Sequence, residues 1–534
     1  MSAPGPHSLL TALSRRFAAR FTEAERRNRW VLLAAILGSG MIFIDSTVVN
    51  LALPALQEDL AASVSEIQWV VEAYTLFVAA LLLVGGALGD RLGRRLTFNL
   101  GAGIFGLASL LCGIAPDALT LILARGLQGI GGALLVPNSL ALIGAAFDRR
   151  SRGRAIGIWS GFSAVATGLG LVLGGMLIDF GHWRLIFLIN VPLAVLALWI
   201  TWRHVPESFG ARSRRLDWPG AGLATLGLGT VSFALIESTN LGLGHWLVLS
   251  CLTVGLVALV AFVRVEARAM APMMPLELFR SPTFAGANLL TFLVYAALAG
   301  VLFLLPLNLV QVQGYSATGA GFAALPFILI IFTFSRWAGA MSDRFGPRRL
   351  LVVGSLLTAM GLLLLAHSGI GGGYWSSFFP GVALLGLGMA LSAAPLTAAV
   401  VDSVEELRVG LASGVNNAIS RAAALLAIAL LGPLMFQIFR GQLLAGVAEL
   451  DLDKGARAAL TADLDQLAAI QLPPGLDGTL AQAVESAIDQ AFVSGFQVAV
   501  TVTAILCLLG AGVAAWAVER PGWGSVPLPR RARD

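Results

Sequence analysis

The sequence predicts an all-α integral membrane protein of about fourteen transmembrane helices, arranged as two six-helix bundles with an inserted pair between them. Three observations carry this reading. Asp, Glu, Lys and Arg make up 12% of the 534 residues and apolar residues 57%, whereas soluble domains carry roughly 25% charged residues. The charges gather between long apolar blocks, each near the roughly 20 residues that span a hydrocarbon core. One segment also recurs. Residues Gly86 to Arg95 read GALGDRLGRR and residues Gly339 to Arg349 read GAMSDRFGPRR, with the Asp90-Arg91 and Asp343-Arg344 pairs 253 residues apart.

Spans are expected near 30–53, 67–88, 96–115, 118–141, 155–178 and 185–203 for the first bundle. An inserted pair follows near 217–238 and 245–264. The second bundle occupies 284–306, 319–340, 350–370, 376–398, 411–438 and 492–517. The chain thus divides into a lead-in over 1–29, a bundle over 30–203 and a pair with flanking loops over 204–282. A second bundle over 283–517 includes a long loop at 440–490, and a tail covers 518–534. With the N-terminus inside, the cytoplasmic segments hold 28 Lys plus Arg. The outer loops hold four, Arg184, Arg440, Lys454 and Arg457. That asymmetry follows the positive-inside rule and puts both termini in the cytoplasm.

Composition excludes several function classes. The net charge of +5 comes from Arg in short loops rather than from a basic face for nucleic acid. Cys112, Cys251 and Cys507 lie inside apolar blocks, and His7, His182, His204, His245 and His367 are scattered, so neither a disulfide framework nor a metal centre is expected. The lead-in has six Arg, two Glu and no cleavable signal pattern, and reads as an amphipathic segment on the membrane surface. No phosphate-binding loop ending in Gly-Lys-Ser/Thr occurs, which argues against an ATP-driven pump. The 440–490 loop carries eight acidic residues and a Pro473-Pro474-Gly475 break between two amphipathic stretches. It reads as a solvated helical cap or as a docking surface for an envelope partner.

Ionisable groups inside spans are costly and default to functional candidates. Span 1 carries Asp45 and Asn50 in DSTVVNLALP, span 2 carries Trp69, Glu72 and Tyr74 in WVVEAY, and span 4 carries Arg125 and Gln128 in RGLQGIGG. Counting along the helices puts Asp45 roughly 12 Å below the outer surface and Glu72 and Arg125 roughly 8–10 Å below it. One layer could therefore hold all three. Two arrangements are open. Asp45 and Glu72 could exchange protons while Arg125 tunes them, because desolvation favours a neutral carboxyl. Alternatively Arg125 and Asp45 form a permanent structural salt bridge while Glu72 faces a cavity.

These segments together resemble the major facilitator superfamily, specifically its fourteen-span drug:proton antiporter family, over nearly the whole chain. The 86–95 loop is similar to the superfamily's loop 2–3 signature. The resemblance implies a cytoplasmic latch formed by Gly86, Asp90, Arg91, Gly93, Arg94 and Arg95, with Asp343 and Arg344 in the repeat. Span 5 has Ala166, Gly170, Leu171, Gly174 and Gly175 where the antiporter motif has a small residue, Gly, Pro and a Gly pair. Gly170, Gly174 and Gly175 would pack the bundles together, while Leu171 removes the expected proline kink. The WRLIFLINVP segment from Trp183 again resembles the family's approach to span 6.

The expected function is proton-coupled antiport of hydrophobic or cationic small molecules by alternating access, with no enzymatic chemistry and no cofactor. The alternatives are a dedicated exporter of one endogenous metabolite or lipid and, as a different class, a membrane receptor or enzyme. The substrate cavity is expected to be mostly apolar, with Asn50, Trp69, Tyr74, Gln128, Asn138, Asn288, Tyr295, Asn308, Asn416 and Asn417 as sparse polar or aromatic contacts. Glu72 would favour a cation there. Arg336 and Arg421 are intramembrane cations that either face the cavity or serve structure. The chain is expected in the bacterial inner membrane, as a monomer or weak oligomer, with a periplasmic adaptor as the candidate partner of the outer loop. Nucleic acid is not an expected partner.

Overall fold

The protein's structure, a computed structural model, describes residues 23–210, 217–269, 272–405, 408–450, 452–462, 464–470, 472 and 476–518. Among them the regular elements are all helical. Fourteen helices are long and apolar enough to cross a membrane. In chain order they are α1 (Glu23–Asp59), α2 (Val64–Leu92), α3 (Arg94–Gly113), α4 (Ala118–Ala146), α5 (Arg149–Phe180) and α6 (Asn190–His204), which joins the short helix Leu185–Leu188 to make the sixth span. The inserted pair is α7 (Trp218–Leu241) and α8 (Trp246–Arg268). The remainder are α9 (Pro282–Leu307), α10 (Ala317–Phe345), α11 (Pro347–Ala366), α12 (Phe379–Asp402), α13 (Val409–Ala448) and α14 (Gly478–Ala517).

Local chemistry sets many of the boundaries. Ser63 caps α2 in a capping box with Glu66, Asp117 accepts from the Thr120 N–H at the start of α4, and Ser281 and Ser316 cap α9 and α10. The internal repeat is physical as well as textual. Gly93 (φ +116°) alone separates α2 from α3, and Gly346 (φ +79°) alone separates α10 from α11. Both turns need the left-handed backbone that glycine adopts without cost. A Cβ on Gly101 of α3 would stand 3.0 Å from the Gly131 carbonyl of α4, and one on Gly354 of α11 would stand 2.8 Å from the Gly388 carbonyl of α12. The same close helix crossing is therefore built twice.

Helices α1–α6 form one bundle, in which α4 packs against α2 and α3, and α1 against α5 and α6. Helices α9–α14 form the other, with α12 against α10 and α11, and α14 against α9, α11 and α13. The bundles meet along two seams, α5 on α10 and α2 on α13. Helix α7 lies over the second seam, touching both α2 and α13, and α8 packs on α7. Only 17% of the apolar window of α8 is buried, which makes it the periphery that faces lipid.

Two boundaries depart from the sequence reading. Helix α13 continues to Ala448 and α14 begins at Gly478, so the expected loop at 440–490 shrinks to 449–477. Leu443 and Val447, and Val484 and Ile488, are buried one helical turn apart and hold the two extensions against the body of the protein. The Pro473–Gly475 break, residues 1–22 and residues 519–534 lie outside the described residues. Helix α5 runs unbroken from Arg149 to Phe180, as expected with Leu171 in place of proline.

The two ends of the molecule differ. At the end away from the Gly86–Arg95 turn the bundles are closed on each other. The Asp179 carboxylate at the end of α5 accepts from the Ala317 and Thr318 N–H groups at 3.0 and 2.7 Å, capping α10 across the seam. Gln57 of α1 donates to the Gln466 carbonyl at 3.0 Å and accepts from Gln311 at 3.1 Å. At the arginine-rich end a cavity of about 580 Å³ separates the bundles, lined by Asp90, Arg94 and Pro137 on one side and Arg408, Gly414 and Asn417 on the other.

Asp179→Ala should weaken the closed end by about 1 kcal/mol, the typical worth of a helix cap. Spin labels at positions 176 and 322, both exposed on the α5–α10 seam, should then report a larger long-distance population. An unchanged distance distribution would show that the cap does not hold this end shut.

Candidate functional site

The first bundle contains a closed cluster of charge. Asp45 of α1 is fully buried and Arg125 of α4 is 1% exposed. The Arg125 guanidinium donates to Asp45 Oδ2 at 2.6 Å and to Gln128 Oε1 at 2.5 Å, and its Nε donates to the Val70 carbonyl of α2 at 2.9 Å. Gln128 returns its amide to Asp45 Oδ1 at 2.8 Å and to Ser109 Oγ of α3 at 3.0 Å. Asn190 of α6 adds a long contact to Asp45 Oδ1 at 3.5 Å. The Tyr74 ring closes over the guanidinium, 4.4 Å from centroid to Cζ.

The helices present these groups for simple reasons. Arg125 and Gln128 are three residues apart and share a face of α4. Gly129 lies so close to the Tyr74 carbonyl that a Cβ there would clash, which brings α2 near enough for Val70 to accept from Arg125. A buried ion pair holds only when its remaining donors and acceptors are also satisfied. Ser109 and Asn190 help to supply that here, and neither stood out in the sequence because a single Ser or Asn in an apolar helix carries no spacing signal.

Glu72 does not join the cluster, and the expectation that the three ionisable groups meet is corrected. Val70 and Tyr74 face α4, and at 100° per residue position 72 points to the opposite side of α2. Its fully buried carboxyl has neighbours in Ser232 of α7 and the Ala429 backbone of α13, and neither oxygen has a standard hydrogen-bond partner. Gln68, one turn away on the same face, also has both polar atoms unpartnered and lies against Gly432. The Ser232 hydroxyl is buried and unpartnered too. Pro433 cannot donate to the Ala429 carbonyl, so α13 offers a spare acceptor at this point. A three-helix junction of α2, α7 and α13 thus holds a second polar cluster.

Several expected cavity residues turn out to bond helices together. Gln128 is locked inside the charge cluster. The Asn138 amide donates to the Gly85 carbonyl at 3.0 Å and so ties α4 to α2. Asn416 of α13 donates to Asn288 at 3.1 Å and to Thr291 at 2.7 Å, both on α9. Asn308 is buried and accepts from Gln313 at 3.4 Å at the end of α9. Trp69 lies beside Phe233 of α7, with ring centroids 6.2 Å apart, rather than in the cavity. Asn50 donates to the Ser46 carbonyl of its own helix at 3.4 Å. Asn417 does line the cavity. Tyr295 of α9 and Tyr74 both lie within the electrostatic field of Arg421 of α13. The side chain of Arg336 lies outside those described.

Of the span 5 glycines, Gly170 and Gly174 receive Thr47 and Val48 of α1 and pack within the first bundle. Of the three, Gly175 meets the second bundle, at the Ala317–Thr318 backbone, and Gly168 of the same helix faces Leu325 and Ile328 there. In the 86–95 turn, Asp90 pairs with Arg94 at 2.8 Å, and a Cβ on Gly86 would meet Pro137 of α4 at 3.4 Å. Glu207, which the sequence reading missed, accepts from the Arg95 and Leu96 N–H groups at 2.8 and 3.1 Å and caps α3. It fills the space a side chain on Gly93 would need. Arg91 is exposed, Arg344 lies over the Phe345 ring at 5.3 Å, and the Asp343 side chain is not among those described. Among the described residues, the hydrogen bonds of the turn stay within the first bundle and the 205–210 linker, in keeping with the open cavity beside it.

Two bundles built on one repeat, with ionisable groups buried inside the membrane span and a cavity open at one end, define a secondary-transporter type of membrane protein. The sequence model of the Major Facilitator Superfamily matches residues 35–426. Multidrug resistance protein Stp of Mycobacterium tuberculosis is 36% identical over 407 residues, covering 76% of this chain and 75% of that one. The tetracenomycin C resistance and export protein of Streptomyces glaucescens is 33% identical over 491 residues, 90% of each chain. A bacterial homolog of the human lysosomal transporter Spinster, crystallised in an inward-facing and unoccupied conformation, shares the fold with a TM-score of 0.64. That likeness covers 93% of this chain and 99% of the other at 20% identity. The chain belongs to the Major Facilitator Superfamily. It is a multi-pass membrane transporter rather than an enzyme, and the bacterial sources of its relatives point to the plasma membrane.

Removing one partner of the buried pair should cost far more than removing both. Arg125→Gln strands the Asp45 charge and should destabilise the purified protein by about 3–5 kcal/mol. The double variant Asp45→Asn/Arg125→Gln should recover a large part of that loss in a denaturant titration. Additive losses would show that the two groups are not energetically coupled.

Proposed function

We propose that the protein is a proton-coupled antiporter that exports lipophilic small molecules by alternating access, with both termini in the cytoplasm. One observation carries this reading. Among the described residues, the two six-helix bundles hold two buried carboxyls of opposite character, Asp45 matched by Arg125 and Glu72 with no charge partner. Ionised, Glu72 would be an isolated charge out of reach of water, at a cost of several kcal/mol. A bound proton removes that cost. Glu72 also sits on the α2–α13 seam, so a change in the contact between the bundles would change its access to water. A group whose charge state and solvation are linked to the seam is what coupling requires. Asp45 is the second candidate, because a proton there would release Arg125 from its partner.

Export fits the names of the relatives, which include a multidrug resistance protein and a resistance and export protein. The cavity beside Leu82, Val136, Pro137 and Leu411 is largely apolar, which suits lipophilic cargo. The earlier reason for favouring cations fails, since Glu72 faces α7 and α13 rather than the cavity. The name of the tetracenomycin C relative also supports a narrower reading, in which this chain exports one compound. Competition among unrelated lipophiles for one flux separates the two.

In proteoliposomes with an imposed pH gradient, Glu72→Gln should reduce gradient-driven uptake of a lipophilic dye to the passive leak. Gradient-free exchange of the same dye should survive. Uptake by the variant at the wild-type rate would overturn Glu72 as the proton carrier. Wild-type uptake that ignores the gradient would overturn antiport itself.

A further inference from the structure

The cavity face of α13 carries a charge that the proton chemistry does not use. Gly414 and Asn417 line the cavity, and Arg421 follows one turn deeper on the same helical face. Arg421 is half-buried and makes no hydrogen bond or ion pair among the described residues. Its charge acts on Tyr74 of the first bundle and Tyr295 of α9, and its helix forms the α2–α13 seam between the bundles. The Tyr74 hydroxyl is buried and has no hydrogen-bond partner, although its residue is only 3% exposed. Across from it the first bundle offers no free anion, because Asp45 is held by Arg125, Gln128 and Asn190. Glu72 points away into the α7 junction.

An unpaired guanidinium at this depth is expensive unless something negative visits it. Its planar fork matches a carboxylate with two parallel hydrogen bonds. We propose that Arg421 forms an anion-accepting pole of the transport cavity, and that the cargo includes lipophilic compounds bearing a carboxylate. The aromatic body of such a compound would occupy the apolar wall near Leu82 and Val136, with its acid turned up toward Arg421. The inference deepens the export reading by naming a substrate class. It also has an energetic consequence: an anion leaving against an incoming proton moves positive charge inward on both counts. The membrane potential then assists each half of the exchange.

The test uses binding, with no gradient, so that it stands or falls apart from proton coupling. Three probes share one ring system: pyrenebutyrate, its methyl ester and the matching trimethylammonium compound. Their affinities for the purified full-length protein are read by fluorescence polarisation. Pyrenebutyrate should bind the wild type about tenfold more tightly than the ammonium compound, a difference of about 1.4 kcal/mol. Arg421→Gln should abolish that preference and leave ester binding unchanged. Arg421→Lys keeps the charge without the fork, and guards against a glutamine variant that fails to fold. It should weaken pyrenebutyrate by about three- to tenfold with the ester again unchanged. Equal affinity of wild type for the acid and ammonium probes would overturn the proposal. So would a lysine variant whose acid and ester affinities fall together or do not change.

Discussion

The pairing of Arg125 with Asp45 inside the first bundle constrains much of what surrounds it. Neither charge can be left alone in the membrane interior, so α1 and α4 must stay in register to within a hydrogen bond of 2.6 Å. The demand spreads outward. Gln128 must turn its amide to Asp45 and Ser109, Val70 must present its carbonyl, and Asn190 must bring α6 alongside. Five of the six helices in that bundle are fixed relative to one another by a single guanidinium and its partners. A bundle tied together in this way can rock as one body against the other, which is the motion an alternating-access transporter needs.

The second bundle is held differently. Its α9–α13 contact rests on the neutral Asn288–Asn416–Thr291 set, and its α11–α12 crossing on glycine and small residues packed at backbone distance. The bundles meet at a clasped α5–α10 end and along an α2–α13 seam that α7 covers. That leaves α7 with a role beyond filling lipid-facing space. It completes the burial of Glu72, Gln68 and Ser232, and Ser65 on α2 meets Thr239 on α7 at 3.0 Å. The inserted pair is therefore bound to the seam by polar contacts as well as by the Leu76–Leu228–Leu425 cluster.

The resulting electrostatics are asymmetric. Deep in the bundles the Asp45 carboxylate is matched by Arg125 and Glu72 is turned toward α7, while Asp90, Arg94, Asp217 and Arg408 line the mouth of the cavity. The Tyr74 ring lies against Arg125, and the charge of Arg421 on α13 acts on it across the α2–α13 seam.

Apolar length, arginine asymmetry and the repeated Gly-Asp-Arg turn were enough to read fourteen helices in groups of six, two and six. Each of these is a local or periodic property, written into consecutive residues by the thickness of a bilayer and by the backbone freedom of glycine. The same logic identified Asp45 and Arg125, since a charge inside an apolar span must have a reason. What consecutive residues do not encode is the direction in which a side chain points relative to other helices. A rotation of two residues on α2 sends Glu72 away from Arg125, and the shared layer expected from depth alone dissolves. Asn138, Asn288 and Asn416 read as cavity contacts until helix packing paired them with neighbours. Asp179 and Glu207 went unnoticed because the helix ends they cap lie far along the chain. The sequence determined which residues the membrane must accommodate. Only the tertiary structure decided which of them satisfy one another and which, like Glu72, have no charge partner among the described residues.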